Sequence, residues 1–393
     1  MSDDPIVIVG IARTPMGGFQ GELAPLTATE LGSVAVRGAI DQSGVSREDF
    51  DECVMGCVLP AGLGQAPARQ AGLGAGLPDH VGGTTVNKMC GSGMKAVMQS
   101  HDMIVAGAAD VIVAGGLESM SNAPYLLPKA RGGFRMGHGE IKDHMFTDGL
   151  EDFNDGRLMG VFAEATAKRY QFTREQQDEF AIRSLARAKT ANEDGTFSAE
   201  IAPVSVKTRK AETIIDSDEQ PRNAKPDKIP NLRPAFAKDG TVTAANSSSI
   251  SDGAAALVLM RRSEAERRGV APLATIVGQA TYAHEPEWFT TAPGGAIKKL
   301  FDKTGWAATD VDLYEINEAF AVVPMAVMHD VGLSADIVNV HGGACALGHP
   351  VGASGARILV TLINALKKYD QKKGVAAICL GGGEATALAL EVS

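Results

Sequence analysis

The chain has 393 residues, of which 45% are hydrophobic and 21% charged, enough apolar material for two or three domains or one large α/β unit and too little charge for a disordered chain. A net charge of −10 excludes a globally basic nucleic-acid binder and a polybasic membrane patch, and 5% aromatics offer no stacking platform for bases. Glycine is in excess, with 45 residues against about 28 at average usage, which points to tight turns and close backbone approaches. Five cysteines in so long a chain make no disulfide framework and read as free thiols in a reducing, cytoplasmic setting. The opening residues carry an apolar run too short for a signal peptide, and no stretch reaches about 18 apolar residues, so neither secretion nor a membrane span is expected.

In chain order, Ile6–Val9, Val111–Ala114, Leu257–Met260, Ile337–Val340, Val375–Cys379 and Ala387–Val392 read as buried strands. Thr173-Arg-Glu-Gln176 and Ser263-Glu-Ala-Glu266 read as capping boxes opening helices. Ile358, Leu359, Leu362, Ile363 and Leu366 form an apolar helical stripe. Strands alternating with helices predict α/β layers with largely parallel pairing. One pattern occurs twice. Val86-Asn-Lys-Met-Cys90-Gly-Ser-Gly93 opens a helix that leads to the strand ending Gly115-Gly116, and Gly352-Ala-Ser-Gly355 opens a helix that leads to the strand ending Gly381-Gly382-Gly383. Between the copies, residues 121–244 differ: Pro124 and Pro128, a Gly/His/Lys-rich stretch, a helical section over 162–192, and basic residues Lys207, Arg209, Lys210, Arg222, Lys225 and Lys228. This stretch reads as an inserted domain with long loops.

Four segments carry chemistry. Cys90 falls between a strand and a helix, where unpaired N–H groups and the helix dipole favour a thiolate; the competing reading is a buried structural cysteine. In His341-Gly-Gly-Ala-Cys-Ala-Leu-Gly-His349, a histidine held in a glycine-rich loop is placed to act as a base, and spacing does not decide which of the two. Cys379, beside a glycine run, is either a second acid/base thiol next to backbone oxyanion donors or part of a phosphate-cradling glycine loop or a plain turn. In Glu315-Ile-Asn317-Glu, an Asn amide positions a water or merely opens a helix. Cys53 and Cys57 read as structural, Asp148, Asp152 and Asp155 as a solvated loop, and no metal-ligand spacing is present.

Taken jointly and in order, with Asn246-Ser-Ser-Ser-Ile-Ser-Asp-Gly-Ala-Ala255, these segments resemble the thiolase family, most closely its acetyl-CoA acetyltransferase (acetoacetyl-CoA thiolase) branch. The resemblance covers nearly the whole chain. It implies two similar βαβαβαββ halves in a five-layered αβαβα sandwich: an N-terminal half of residues 1–120 and 245–272, an inserted loop domain of 121–244, and a C-terminal half of 273–393. It implies Cys90 as the acyl-accepting nucleophile, His349 as its activator, Asn317 as holder of an oxyanion-hole water, Cys379 as the base at the α-carbon, and the N–H groups of Cys90 and Gly381 as a second oxyanion hole. Coenzyme A, a substrate rather than a resident cofactor, is expected against Arg222 (adenine), Ser248 (pantetheine), Leu150, Met159, Phe236, Ala244, Ala319 and Phe320. No metal, nucleic acid or membrane is called for, and a homotetramer (dimer of dimers) or dimer is expected, with Tyr125–His138 as the tetramerisation loop. The implied activity is the reversible condensation of two acetyl-CoA to acetoacetyl-CoA. Leu158-Met159-Gly160 departs from the His-Met-Gly often carried by biosynthetic short-chain members, which opens the alternative of a broader-chain 3-ketoacyl-CoA thiolase of β-oxidation. A non-catalytic acyl-CoA or lipid carrier and a decarboxylating ketoacyl synthase fit poorly, because all four reactive residues are present and a Cys stands where synthases use His.

Overall fold

The computed structural model describes residues 4–207 and 211–392. Its centre is a ten-stranded mixed sheet. The strands are β1 (Ile6–Arg13), β2 (Glu52–Gly56), β3 (Gly82–Val86), β4 (Val111–Ser119), β5 (Ser251–Arg261), β6 (Ala274–Ala283), β7 (Leu313–Ile316), β8 (Lys373–Leu380) and β9 (Glu384–Val392), with a two-residue piece, Gly17–Gly18, on β5. Their spatial order is β7-β8-β9-β6-β1-β5-β4-β2-β3. Read outward from the β1/β6 seam, where only Val7 and Ile8 meet Thr275 and Ala274, the two arms mirror each other. Each arm has a long antiparallel middle and a parallel edge. Pairing is therefore antiparallel through the centre, not largely parallel as the strand–helix alternation predicts, because β5 and β9 each return beside a sequence-distant strand or across a tight hairpin. Ile337–Val340 does not form a strand. It contributes one bridge, Tyr314 to Val338, at the place that β3 occupies in the other arm.

The seven longer helices are α1 (Ala28–Ser43), α2 (Ser92–Val105), α3 (Met159–Tyr170), α4 (Arg174–Glu193), α5 (Ala292–Thr304), α6 (Val322–Val331) and α7 (Val351–Lys368). Helix α1 covers one arm, α5 covers the other, and α2 packs on α7 between them. The strand period of two explains how one sheet serves several layers: Ile6 and Ile8 of β1 face the central core with α2 and α7, while Val7 and Val9 face the core under α1. A third core joins α5 and α6 to the opposite face of β8 and β9. The stripe Ile358, Leu359, Leu362, Ile363 and Leu366 is buried in the central core as its spacing predicts. The small residues at the start of α7 let it lie directly on β4: a Cβ on Gly116 would stand 2.0 Å from the Gly352 carbonyl oxygen.

Thr173 caps α4 with the full capping box. The second predicted box does not form. The helix Arg262–Arg268 begins two residues earlier, with Arg261 at its N-cap, and Ser263 gives its N–H (3.0 Å) and hydroxyl (2.7 Å) to Asp4, so the cap comes from the far end of the chain. Residues 120–250, between β4 and β5, carry α3, α4 and a short hairpin, Val204–Lys207 with Glu212–Ile215. Arg13 at the end of β1 anchors this excursion. Its guanidinium, fully buried, pairs with Glu200 (2.5 Å) and Asp218 (2.7 Å) and lies 4.6 Å over the Phe197 ring.

Candidate active site

Cys90 sits on the turn between β3 and α2, two residues ahead of the helix and next to its N-cap, Gly91. Met89, just before it, is held at φ +47°, and the turn is braced from within: Met89 N–H donates to Asn87 (3.0 Å), Lys88 N–H to the Ser92 hydroxyl (2.8 Å), and that hydroxyl to the Met89 carbonyl (2.6 Å). Cys90 is half-buried. Burial pushes its thiol up to about 11, opposed by two backbone N–H groups aimed at its sulfur, that of Gly381 and its own.

Gly381 opens the hairpin turn from β8 to β9, whose next two residues, Gly382 (φ +91°) and Gly383 (φ +88°), take a backbone region that disfavours side chains. The glycine run is thus a tight turn that brings the Gly381 backbone into the same cavity as Cys90, where its N–H favours the thiolate. Cys379, inside β8, is fully buried. Its thiol is pushed well above the ordinary range, first by burial and then by Cys90, which makes the two sulfurs electrostatic neighbours.

Of the two histidines, the fold brings only His349 to Cys90. His349 precedes α7, where its Nδ1 lies 2.6 Å from the Ser354 hydroxyl. That hydroxyl already gives its single proton to the Pro350 carbonyl (2.9 Å), so it accepts from Nδ1–H, and the lone pair of the neutral ring is left on Nε2. Nε2 has no protein partner, and burial with the nearby Arg357 lowers the ring to about 3. His341 is buried elsewhere, between the rings of Phe197 and Tyr369. Asn317, between β7 and α6, is fully buried with neither side-chain atom bonded to protein. The helix it was expected to open begins only at Val322.

Cys90, His349 and Gly381 line one cavity of about 350 Å³ with Leu150, Met159, Phe236, Ala244, Ser248, Ala319 and Phe320, all singled out in the sequence. Leu158 lines it too. The wall is mostly apolar and is stiffened by an edge-to-face pair, Phe236 and Phe320, 6.0 Å apart. An outer groove of about 660 Å³ shares Ala244, Ser249 and Ile250 with the cavity and bears Lys225 and Lys228. Apolar walls leading outward to lysines suit a chain that ends in phosphates, as coenzyme A does. Arg222 lines neither space. Its guanidinium pairs with Glu22 (2.5 Å) and with the Asp218 carbonyl (3.3 Å). Of the expected basic cluster, Arg209 and Lys210 lie outside the described residues, and Lys207 pairs with Glu212.

Sequence reasoning missed several residues of the site. Ser354 orients His349, and Phe146 and Phe289 line the cavity. Glu118, fully buried at the end of β4, accepts N–H groups from Val58 (2.9 Å), Leu59 (3.1 Å) and Gly352 (2.9 Å), and so ties the start of α7 to the sheet. Burial raises it to about 7. An i,i+5 Ser–His spacing across Pro350 was a usable signal for Ser354; the others had none. Cys53 and Cys57 are buried, as a structural role requires. Asp152 is buried rather than solvated.

Known proteins match this architecture over its full length. The family model for the thiolase N-terminal domain matches residues 6–263, and that for the thiolase C-terminal domain matches 270–392. An acetyl-CoA acetyltransferase 2 of Arabidopsis thaliana is 52% identical over 98% of this chain and 97% of its own length. An acetyl-CoA acetyltransferase of Cupriavidus necator is 48% identical over 98% of this chain and 99% of its own. The crystal structure of the Bacillus anthracis acetyl-CoA acetyltransferase superposes with a TM-score of 0.97 at 41% identity, covering 99% of both chains. With a mirrored pair of sheet arms around two central helices and a cysteine facing a histidine and a glycine turn, the chain belongs to the thiolase family, enzymes that transfer acyl groups.

Proposed function

We propose that this protein is an acetyl-CoA C-acetyltransferase that condenses two acetyl-CoA to acetoacetyl-CoA and CoA, or runs the reverse thiolysis, through an acetylated Cys90. The observation that carries the reading is the meeting of Cys90, an unpartnered His349 Nε2 and the Gly381 N–H in one apolar cavity. His349 Nε2 takes the Cys90 proton, and the thiolate attacks the acetyl carbonyl. CoA leaves as its thiol with the proton of Cys379, so that S-acetyl Cys90, a Cys379 thiolate and protonated His349 remain. The Cys379 thiolate then removes the α-proton of a second acetyl-CoA, and the enolate attacks the Cys90 thioester, expelling the Cys90 thiolate, which recovers its proton from His349. Carbonyl oxygens that gain charge are received by the N–H groups of Cys90 and Gly381, and by protonated His349 with a water held at Asn317. Positioned acid–base groups contribute about 10²–10⁴-fold and each oxyanion donor about 10²–10³-fold. The thiolate forms in spite of its raised pKa because the base that takes the proton is in the same cavity. Relatives bearing the acetyl-CoA acetyltransferase name support the substrate.

The test is covalent labelling. Incubation with acetyl-CoA and peptide mass spectrometry should find one acetyl group on Cys90; an unlabelled wild type, or full turnover by Cys90→Ala, would refute the reading. A second reading, a broader-chain 3-ketoacyl-CoA thiolase, is favoured by Leu158, which lines the cavity with an apolar side chain. A kcat/KM series on C4, C6 and C8 3-ketoacyl-CoA decides between them, since a flat or rising profile supports Leu158 as part of a longer acyl pocket.

Further readings stand on the same footing. The division into two halves (1–120 with 245–272, and 273–393) around a loop domain (121–244) is supported by the mirrored strand order. A dimer or dimer of dimers is supported by exposed apolar side chains between Tyr125 and Phe153, Met136 above all. A cytoplasmic setting is supported by five free cysteines. Among the described residues no helix is long and apolar enough to cross a membrane.

A further inference from the structure

The two turns that converge on the reacting sulfur come from opposite ends of the chain. Residues 87–91 carry Cys90, and residues 381–383 carry the Gly381 N–H. The bonds that shape the first turn lie within it (Asn87 to Met89, and Ser92 to Lys88 and Met89) or run to the neighbouring strand end, where Asn87 Nδ2 donates to the Val58 carbonyl (3.5 Å). They hold Met89 at φ +47°, a costly conformation for a side-chain residue, but they do not fix where the turn lies relative to Gly381. Across the gap the contacts are of two kinds. Apolar packing sets Gly91 against Leu380, where a Cβ on Gly91 would stand 2.3 Å from Leu380 Cδ2, and brings Met89 Cε near the open face of Gly381. The other contact is directional. Lys88 Nζ forms an ion pair with Glu384, the residue that closes the hairpin turn by pairing with Leu380. Among the described residues this is the one ion pair between the two turns, and each of its side chains is about one-third exposed.

We propose that the Lys88–Glu384 ion pair is a positioning clamp that holds the Gly381 N–H on the Cys90 sulfur. It stands two residues before the nucleophile and three after the donor, a lever on both. Its exposure makes it a minor contributor to folding, so its role can be separated from stability. The inference rests on the proposed function for its catalytic meaning, while the contact it controls is measurable without turnover.

The experiment is the pH profile of Cys90 alkylation by iodoacetamide in the wild type, in Glu384→Gln, and in the charge-swapped pair Lys88→Glu with Glu384→Lys. The ionisable groups facing Cys90 are Glu118, His349 and Cys379, and all are retained in each variant. Removing a carboxylate and leaving Lys88 unpaired would, through space alone, stabilise the thiolate and move the profile down. Loosening the Gly381 N–H does the opposite. The clamp therefore predicts an upward move of about 0.5 pH unit, read as about threefold slower alkylation at pH 8. It also predicts a matching fall in kcat with KM for acyl-CoA unchanged, an unchanged melting temperature, and recovery in the charge-swapped pair. A profile that stays put or moves down in Glu384→Gln, or a charge-swapped pair that does not recover, overturns the clamp. Failure of acetyl-CoA to label wild-type Cys90 would instead remove the proposed function and leave the alkylation result standing.

Discussion

Ser354→Ala removes one oxygen, and the consequences can be worked through the site. The Ser354 hydroxyl is fixed between two partners, accepting from His349 Nδ1 at 2.6 Å and donating to the Pro350 carbonyl at 2.9 Å. Both residues are buried, so no bulk water replaces the lost acceptor. An orphaned buried N–H costs about 1–3 kcal/mol, and stability should fall by that amount in urea unfolding at pH 7. The functional loss has a different origin. Without an acceptor the ring is free to place its proton on Nε2 or to turn, and either removes the lone pair that faces the cavity. Loss of an orienting partner of this kind costs about 10–100-fold. The assay is single-turnover acetylation of Cys90 by acetyl-CoA, quenched and read by mass spectrometry. Ser354→Ala should acetylate about 10–100-fold more slowly with the acyl-CoA concentration dependence unchanged, and Ser354→Thr, which keeps the hydroxyl, should recover most of the rate. If Ser354→Ala acetylates within twofold of wild type, Nδ1–H needs no acceptor and the tautomer argument is wrong.

Asn317→Leu separates function from stability: the amide has no protein partner to lose, so unfolding free energy should change by less than about 1 kcal/mol while turnover drops about 10²-fold or more; a large stability loss with little loss of turnover would contradict a water-holding role. Arg13→Leu leaves Glu200 and Asp218 buried without their cation, and should destabilise by about 3–5 kcal/mol in chemical denaturation; an effect below about 1 kcal/mol would show that the pair is hydrated. His341, buried and held at about 4, takes up a proton in the unfolded chain before it does so in the folded one. The unfolded state therefore binds more protons between about pH 6.5 and 4, and stability falls as pH falls through that window by up to about 1.4 kcal/mol per unit. His341→Asn should flatten that acid slope in urea titrations at pH 7 and 4.5, and equal slopes would refute the assignment.

Much of the site was legible because its chemistry needs particular residues in local settings. A cysteine beside a helix start, a histidine in a glycine-rich loop and a cysteine at a strand end can each be read from a dozen neighbouring residues, and the structure brings Cys90 and His349 to one cavity, with Cys379 buried within electrostatic reach of Cys90. The capping box at Thr173 and the stripe on α7 were legible for the same local reason. The failures share a cause as well. Ser263 is capped by Asp4, 259 residues away, and Ile337–Val340 keeps only one bridge, to Tyr314. Arg222 carries a charge that fits a phosphate, yet Glu22 occupies it.

The sequence by itself determined the family, the candidate site residues and the apolar layers, since these follow from residue chemistry and from periods of two and 3.6. Only the tertiary structure decided which histidine faces Cys90, that Ser354 leaves its Nε2 bare, and that Glu384 reaches Lys88. It also turned the glycine excess into specific contacts: Gly116 against the start of α7, Gly91 against Leu380, and Gly381 beside Cys90 in one cavity. The physical reason is range. Hydrogen bonds and ion pairs act over about 3 Å between atoms that are hundreds of residues apart along the chain, and nothing in the local pattern encodes that meeting.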